Sequence, residues 1–85
     1  MEQNDIVEDP ESIQIKQIIH EKLGIEIVDL ANAADFQDDL GVDSLDLIEL
    51  RMEIEKRFSV NMSEEVAEKL NTVGSLIEFV KEKNR

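Results

Sequence analysis

An amphipathic helix with a well-defined start is the feature that most restricts what this chain can fold into. Asp43 has the short carboxylate that accepts a hydrogen bond from the free N–H groups of a first helical turn, so a helix over residues 44–57 is predicted. Within it, Leu47, Leu50 and Ile54 recur at helical spacing and form one apolar stripe. A helix with such a stripe has to bury it against other elements of the domain.

Ser44 is the first residue of this predicted helix. Gly41 lets the chain turn tightly before the cap, and Asp43 and Asp46 place negative charge at the positive end of the helix dipole. The Ser44 hydroxyl is therefore expected to be exposed and rigidly held. An unassisted serine is a weak nucleophile, and no histidine or lysine lies nearby in the sequence, so Ser44 is interpreted as a substrate of another enzyme.

Two further stripes run along the same helix, one acidic and one apolar. Since a helix with one buried face needs a single apolar line, part of the second line is predicted to be exposed beside the acids and available to a partner. The acidic stripe consists of Asp46, Glu49 and Glu53, and the second apolar stripe consists of Leu45, Ile48 and Met52.

The remaining pattern predicts three other helices. Asp9, Ser63 and Thr72 are expected N-caps, and Gly24 is placed to end the first helix. The helix after Ser63 is expected to be short and to end near residue 70. Residues 25–42 lack periodicity and predict a long irregular loop, with Leu30, Phe36 and Leu40 as its buried anchors.

We therefore predict an all-α fold, a small four-helix bundle of three longer helices and one short helix. The long loop joins the first and second helices. Residues 1–8 are expected to form a flexible N-terminal tail, and residues 9–85 a single domain.

Composition excludes several classes of function. The chain has no cysteine and one histidine, so it lacks the residues for a disulfide and for a thiolate or histidine metal cluster, and no serine-histidine triad is predicted around its single histidine. Its net charge of −12 disfavours nucleic acid and anionic lipid, and favours basic protein surfaces. No apolar run approaches membrane-spanning length and no signal peptide is visible, so we expect a soluble, cytoplasmic protein without membrane insertion.

The acidic segment around Gly41 also raises the possibility of a calcium site. An EF-hand loop needs glycine at its sixth position, an acid at its first and glutamate at its twelfth. With Gly41 at the sixth position, Phe36 would be first and Leu47 twelfth. The motif fails, and no metal site is predicted.

Residues 38–46, DDLGVDSLD, together with Glu49-Leu50, Met52, Glu55 and Phe58, resemble the signature of the acyl carrier proteins. The likeness extends from the first helix to Thr72-Val73 and covers nearly everything except the N-terminal tail. Agreement over the whole chain is a far more specific signal than the short motif around the serine.

This resemblance implies a non-enzymatic carrier, and we expect a monomer, because a carrier must present one face to many enzymes. A phosphopantetheinyl transferase, using coenzyme A and Mg²⁺, would attach 4′-phosphopantetheine to Ser44, beside Asp43, and acyl chains would then be carried as thioesters on the arm's thiol. Basic patches on the transferase and on synthases, reductases, dehydratases and acyltransferases would contact the partner face. The residues implied by the resemblance and by the acidic stripe are Asp43, Leu45, Asp46, Glu49, Met52, Glu53 and Glu55 for the partner face, and Leu47, Ile54, Ala67 and Leu70 for a pocket holding the acyl chain.

Some positions depart from the family pattern. Lys56 and Arg57 stand where carriers of fatty-acid synthesis commonly have acids, Met62-Ser63 replaces Ile-Pro, and Phe79 replaces Tyr. A carrier dedicated to a polyketide, aryl, alanyl or peptidyl cargo therefore remains an alternative to fatty-acid synthesis. A third hypothesis is an unmodified acidic docking module, whose activity would survive Ser44→Ala.

Overall fold

The computed structural model describes residues 9–84, and this part of the chain is helical. It contains no strand, only an isolated β-bridge between Asp35 and Thr72. The all-α prediction is confirmed, whereas the predicted tail, residues 1–8, lies outside the described residues. The helices are α1 (Pro10–Leu23), α2 (Ser44–Phe58), α3 (Glu64–Ala67) and α4 (Val73–Lys83), with a short 3₁₀ helix at Ile27–Asp29.

Each α-helix begins at the predicted cap. The side chains of Asp9, Asp43 and Ser63 accept hydrogen bonds of 3.0, 3.0 and 3.1 Å from backbone N–H groups three residues ahead. Thr72 forms a reciprocal capping box with Ser75. These bonds satisfy N–H groups that have no partner inside a helix, so local chemistry sets where each helix starts.

Helix α3 is shorter than predicted, because it ends at Ala67 instead of continuing to Leu70. The amides of Lys69 and Leu70 bond to the carbonyls of Val66 and Ala67, at 2.9 and 3.1 Å. Such bonds to the third preceding residue tighten the chain into a turn and prevent another α-helical turn.

The core lies between α1, α2 and α4, and four residues from outside the helices are inserted into it: Leu30, Phe36, Val42 and Leu70. Phe36 and Leu30 are each 1% exposed, as predicted for anchors of the long loop, while Leu40 is partly buried at the edge. The helical core residues are Ile15, Ile18 and Ile19 of α1, Leu47, Leu50 and Ile54 of α2, and Val73, Leu76, Ile77 and Val80 of α4.

The loop between α1 and α2 is more ordered than its sequence suggests. Its acids bind its own backbone: Asp35 Oδ2 accepts from the amides of Gln37 and Asp38, at 3.0 and 2.8 Å, and Asp39 Oδ2 accepts from the Asp35 amide at 2.7 Å. These are side-chain turns that replace helical or sheet hydrogen bonding. Asp35 and Asp39 are thus part of the loop's own hydrogen bonding.

The same loop is fastened to the start of α4. The amides of Val73 and Gly74 donate to the carbonyls of Ala34 and Asn32, at 3.1 and 2.9 Å. A Cβ on Gly74 would lie 2.9 Å from the Asn32 carbonyl oxygen, so glycine permits this close approach. The backbone amide of Phe36 donates to the Asn71 carbonyl at 2.8 Å. These bonds fix the loop that leads into Ser44.

Candidate functional site

Ser44 is exposed at the amino end of α2, where an anchored segment delivers it. Gly41 has φ of 68°, in the left-handed region that glycine adopts without strain. The next residue, Val42, is buried, and its amide donates to the Phe36 carbonyl at 2.9 Å. With Asp43 capping the helix, the Ser44 hydroxyl is presented to solvent on a fixed backbone.

Gln37 is the side chain that contacts the Ser44 hydroxyl. Its Nε2 donates a hydrogen bond of 3.3 Å to Ser44 Oγ. Sequence reasoning missed this residue, because a glutamine seven positions upstream in a loop without periodicity gives no signal of such a contact. An amide is not a base, so the contact orients the hydroxyl without activating it. The geometry therefore favours a serine acted on by a partner enzyme.

A cavity of about 380 Å³ opens beside Ser44, between α2 and the segment around α3. Leu47 and Ile48 supply part of its wall, and Arg51 borders it farther along α2. A second cavity of about 190 Å³ shares Ile48 and Arg51 and extends toward Ala67. The two cavities together form a groove along one side of α2.

The four residues predicted to line an acyl pocket occupy different parts of this region. Leu47 borders the larger cavity and Ala67 the smaller one, so both lie at the groove. Ile54 and Leu70 are buried but line neither cavity. For an acyl chain to reach them, the core would have to open, and their role in binding cargo stays a prediction.

The second apolar stripe of α2 is exposed, as expected. Leu45, Ile48 and Met52 are 69%, 48% and 60% exposed, and the carboxylates of Asp46 and Glu49 lie exposed on the same helix. Apolar side chains beside acids at the mouth of the Ser44 site form a surface suited to a partner with basic and apolar groups.

Three of the predicted partner residues, Asp43, Glu53 and Glu55, already accept hydrogen bonds within the molecule, Asp43 as the cap of α2. Arg57 Nε donates to Glu53 Oε2 at 2.7 Å, and this hydrogen bond lowers the pKa of the Glu53 carboxyl. Glu55 Oε2 accepts from the Met62 amide at 2.7 Å. The acidic stripe is therefore free at Asp46 and Glu49 and paired at Glu53.

Comparison with known proteins agrees with this geometry. Residues 14–80 match the family described as a phosphopantetheine attachment site. The acyl carrier protein of Buchnera aphidicola from Acyrthosiphon pisum (strain Tuc7) is 51% identical over 71 residues, covering 84% of this chain and 89% of that protein. The chain belongs to the acyl carrier protein family. A second relative, the acyl carrier protein of Buchnera aphidicola from Schizaphis graminum, is 47% identical over 72 residues, covering 85% and 91%.

A solved structure of another acyl carrier protein has the same fold as this chain. The acyl carrier protein from Enterococcus faecalis, studied for its high thermal stability, matches with a TM-score of 0.71 and 30% identity, over 82% of this chain and 89% of that one. The function is thus that of an acyl carrier, and the prosthetic group is 4′-phosphopantetheine. Along residues 9–84, no helix is long and apolar enough to cross a membrane.

The site fits this prosthetic group. An arm on Ser44 would leave from an exposed helix start, with open solvent on one side and the groove along α2 on the other. Its phosphodiester would lie at the amino end of a 15-residue helix, where the dipole favours negative charge. The arm would also supply the thiol that this cysteine-free chain lacks.

Proposed function

We propose that Ser44 is the attachment residue and that the chain carries acyl groups as thioesters on the arm joined to it. The observation that carries this proposal is the exposed Ser44 hydroxyl at a capped helix start within the residues matched to the phosphopantetheine family. In the loading step, Ser44 Oγ attacks the phosphorus that bears the pantetheine. The bond from that phosphorus to the bridging oxygen of the coenzyme A pyrophosphate breaks, and adenosine 3′,5′-bisphosphate leaves.

The hydroxyl proton has to be accepted by the transferase. Gln37, which donates its amide N–H to Ser44 Oγ, has no basic nitrogen to take it. Asp43 faces its own helix, where Oδ1 accepts from the Asp46 amide, so its part is to hold the helix start in place. Ser44 thus acts as the acceptor of the transferred group.

The main contacts of the proposed partner face are its exposed residues whose side chains make no hydrogen bond in the free protein: Leu45, Asp46, Glu49 and Met52. Exposed acids speed encounter with a basic enzyme surface, and exposed apolar side chains add contact once the two proteins meet. The transferase, and synthases, reductases, dehydratases and acyltransferases with basic patches, are the proposed partners. Asp43, Glu53 and Glu55 are assigned secondary parts, because each carboxylate already accepts a hydrogen bond in the free protein.

The test is the intact mass of the protein after incubation with coenzyme A, Mg²⁺ and a broad-specificity phosphopantetheinyl transferase. The protein without a substitution should gain one phosphopantetheinyl group, and the Ser44→Ala variant should gain none. Ser63→Ala is the matched control, because Ser63 is also an exposed serine at a helix start, and it should load normally. Loading of Ser44→Ala would overturn the assignment, as would failure of all three proteins beside a known carrier that loads.

A further inference from the structure

The guanidinium of Arg51 has a buried donor with no partner. Its Nε is inaccessible to solvent and makes no hydrogen bond, and within residues 9–84 no other buried side-chain nitrogen or oxygen is in this state. No carboxylate in the same span lies within ion-pair distance of it. A buried polar atom without a hydrogen bond costs stability, so such an atom in a native protein needs an explanation.

Arg51 lies in the groove beside Ser44. It lines both cavities along α2, and it is the one cationic residue in the lining of the cavity that contains Ser44. Arg51 follows Ser44 by seven positions, which corresponds to about 10.5 Å along a helix. Because helical side chains tilt toward the amino end, the long Arg51 side chain shortens that distance.

The electrostatic setting of Arg51 favours an additional anion. Burial lowers the pKa of its guanidinium, and the nearby charge of Glu68 acts in the opposite direction. Glu68 is exposed at the groove's edge, and water screens its charge. An anion inside the groove would be closer and less screened, and a rotation of the Arg51 side chain would turn the buried, unpartnered Nε–H toward it.

We propose that Arg51 binds an anionic oxygen group of the loaded carrier inside the Ser44 cavity. This inference rests on the proposed loading of Ser44. The anion has two possible sources: the phosphodiester that every loaded form contains, or a carboxylate on the acyl cargo. A planar guanidinium matches either group, because it donates two parallel hydrogen bonds to phosphate or carboxylate oxygens.

The two sources have different consequences for cargo. If the phosphodiester is the ligand, Arg51 holds the root of the arm against α2 whatever the cargo is. If a cargo carboxylate is the ligand, the groove favours dicarboxylic thioesters over neutral alkyl chains, because a neutral chain would leave the buried donor unpaired.

Nitrogen-15 NMR of the arginine Nε–H groups tests this directly. The chain has three arginines, and the Arg51 signal is the one absent from the Arg51→Lys spectrum. Hydrogen exchange of that N–H is compared in the unloaded protein and in forms loaded from coenzyme A, acetyl-coenzyme A and malonyl-coenzyme A. Exchange should slow severalfold in all three loaded forms if the phosphodiester is bound, and in the malonyl form alone if the carboxylate is bound.

The intact mass of each sample distinguishes a failure of the proposed loading of Ser44 from a failure of the proposed role of Arg51. A sample that gains no arm overturns the proposed function and this inference with it. Samples that are fully loaded but keep the exchange rate of the unloaded protein overturn the role of Arg51 alone.

A second readout avoids dependence on one signal. If the phosphodiester is the ligand, Arg51→Gln should shift the phosphorus-31 resonance of the arm in the loaded protein. If the carboxylate is the ligand, loading with a malonyl group should change the thermal unfolding midpoint, and Arg51→Gln should abolish that change. Lys56→Gln is the matched control, because it removes one positive charge from the same helix outside the Ser44 cavity. Equal effects of the two variants would contradict a specific contact.

Discussion

The carboxylate of Glu55 accepts a hydrogen bond of 2.7 Å from the backbone N–H of Met62, seven residues further along the chain. This contact joins the last turns of α2 to the segment that leads into α3. Both residues border the smaller cavity, so the bond also fixes one side of the groove. A residue that the family resemblance assigns to partner binding therefore also holds the fold together.

Glu55→Ala is expected to destabilise the protein by about 1–2 kcal/mol, because it leaves the Met62 amide without its charged acceptor. Urea unfolding at neutral pH measures the loss. Glu49→Ala is the control, since Glu49 is an exposed glutamate on the same helix and should change stability little. Equal stability of the two variants would show that the Glu55 bond is unimportant.

The two apolar faces of α2 should separate stability from function. Ile54 is fully buried, so Ile54→Ala should lower the free energy of unfolding by about 2–5 kcal/mol. Met52 is 60% exposed, so Met52→Ala should leave unfolding nearly unchanged while reducing the rate of loading by the transferase. Chemical denaturation and a loading assay measure the two effects. A large loss of stability in Met52→Ala would contradict this division.

The acids of α2 should differ in their effect on partner encounter. Asp46→Asn and Glu49→Gln should each lower kcat/KM for loading by about threefold to tenfold at low salt, with a smaller effect at high salt. Glu53→Gln should have a weaker effect, because Arg57 already neutralises that carboxylate. Loading kinetics over a range of salt concentrations measure these rates. A Glu53→Gln variant as defective as Asp46→Asn would refute the distinction.

Asp9 should make stability depend on pH at the acidic end. Its hydrogen bond to the Lys81 side chain, with a smaller contribution from Ser12, lowers the pKa of the carboxyl from 3.8 to about 2. The folded state binds a proton at the Asp9 carboxyl more weakly than the unfolded state does. The stabilisation that the ionised Asp9 gives the folded protein is therefore complete above about pH 4 and disappears as pH falls through about 2. An NMR titration of the Asp9 carboxyl measures the shift.

The matched variant is Asp9→Asn, which keeps an oxygen to cap α1 and removes the charge that pairs with Lys81. Its unfolding midpoint should lie below that of the unmodified protein at pH 7, and the two should converge as pH falls toward 2. A difference that stays constant over this range would rule out the ion pair as its cause.

The helix starts could be predicted because their causes are local. An N-cap such as Asp43 or Thr72 needs a short polar side chain and the three residues after it, all of which are visible in the sequence. The exposed stripe containing Met52 was predictable for a similar reason, since helical periodicity assigns residues to faces.

The features that could not be predicted depend on distant parts of the chain. The Gln37–Ser44 contact requires the loop to be fastened to α4, and the unpartnered nitrogen of Arg51 requires the shape of the groove beside α3. The end of α3 also escaped prediction, because bonds to the third preceding residue replaced the α-helical pattern at Lys69.

Ser44 is the residue proposed to carry the arm, and fragmentation mass spectrometry of the loaded, proteolysed protein locates the arm on the chain. We predict that the phosphopantetheinyl mass lies on the peptide containing Ser44 and that fragment ions place it on that serine. An arm located on another residue would contradict the assignment of Ser44. So would an unmodified Ser44 peptide from a reaction in which a known carrier is fully loaded.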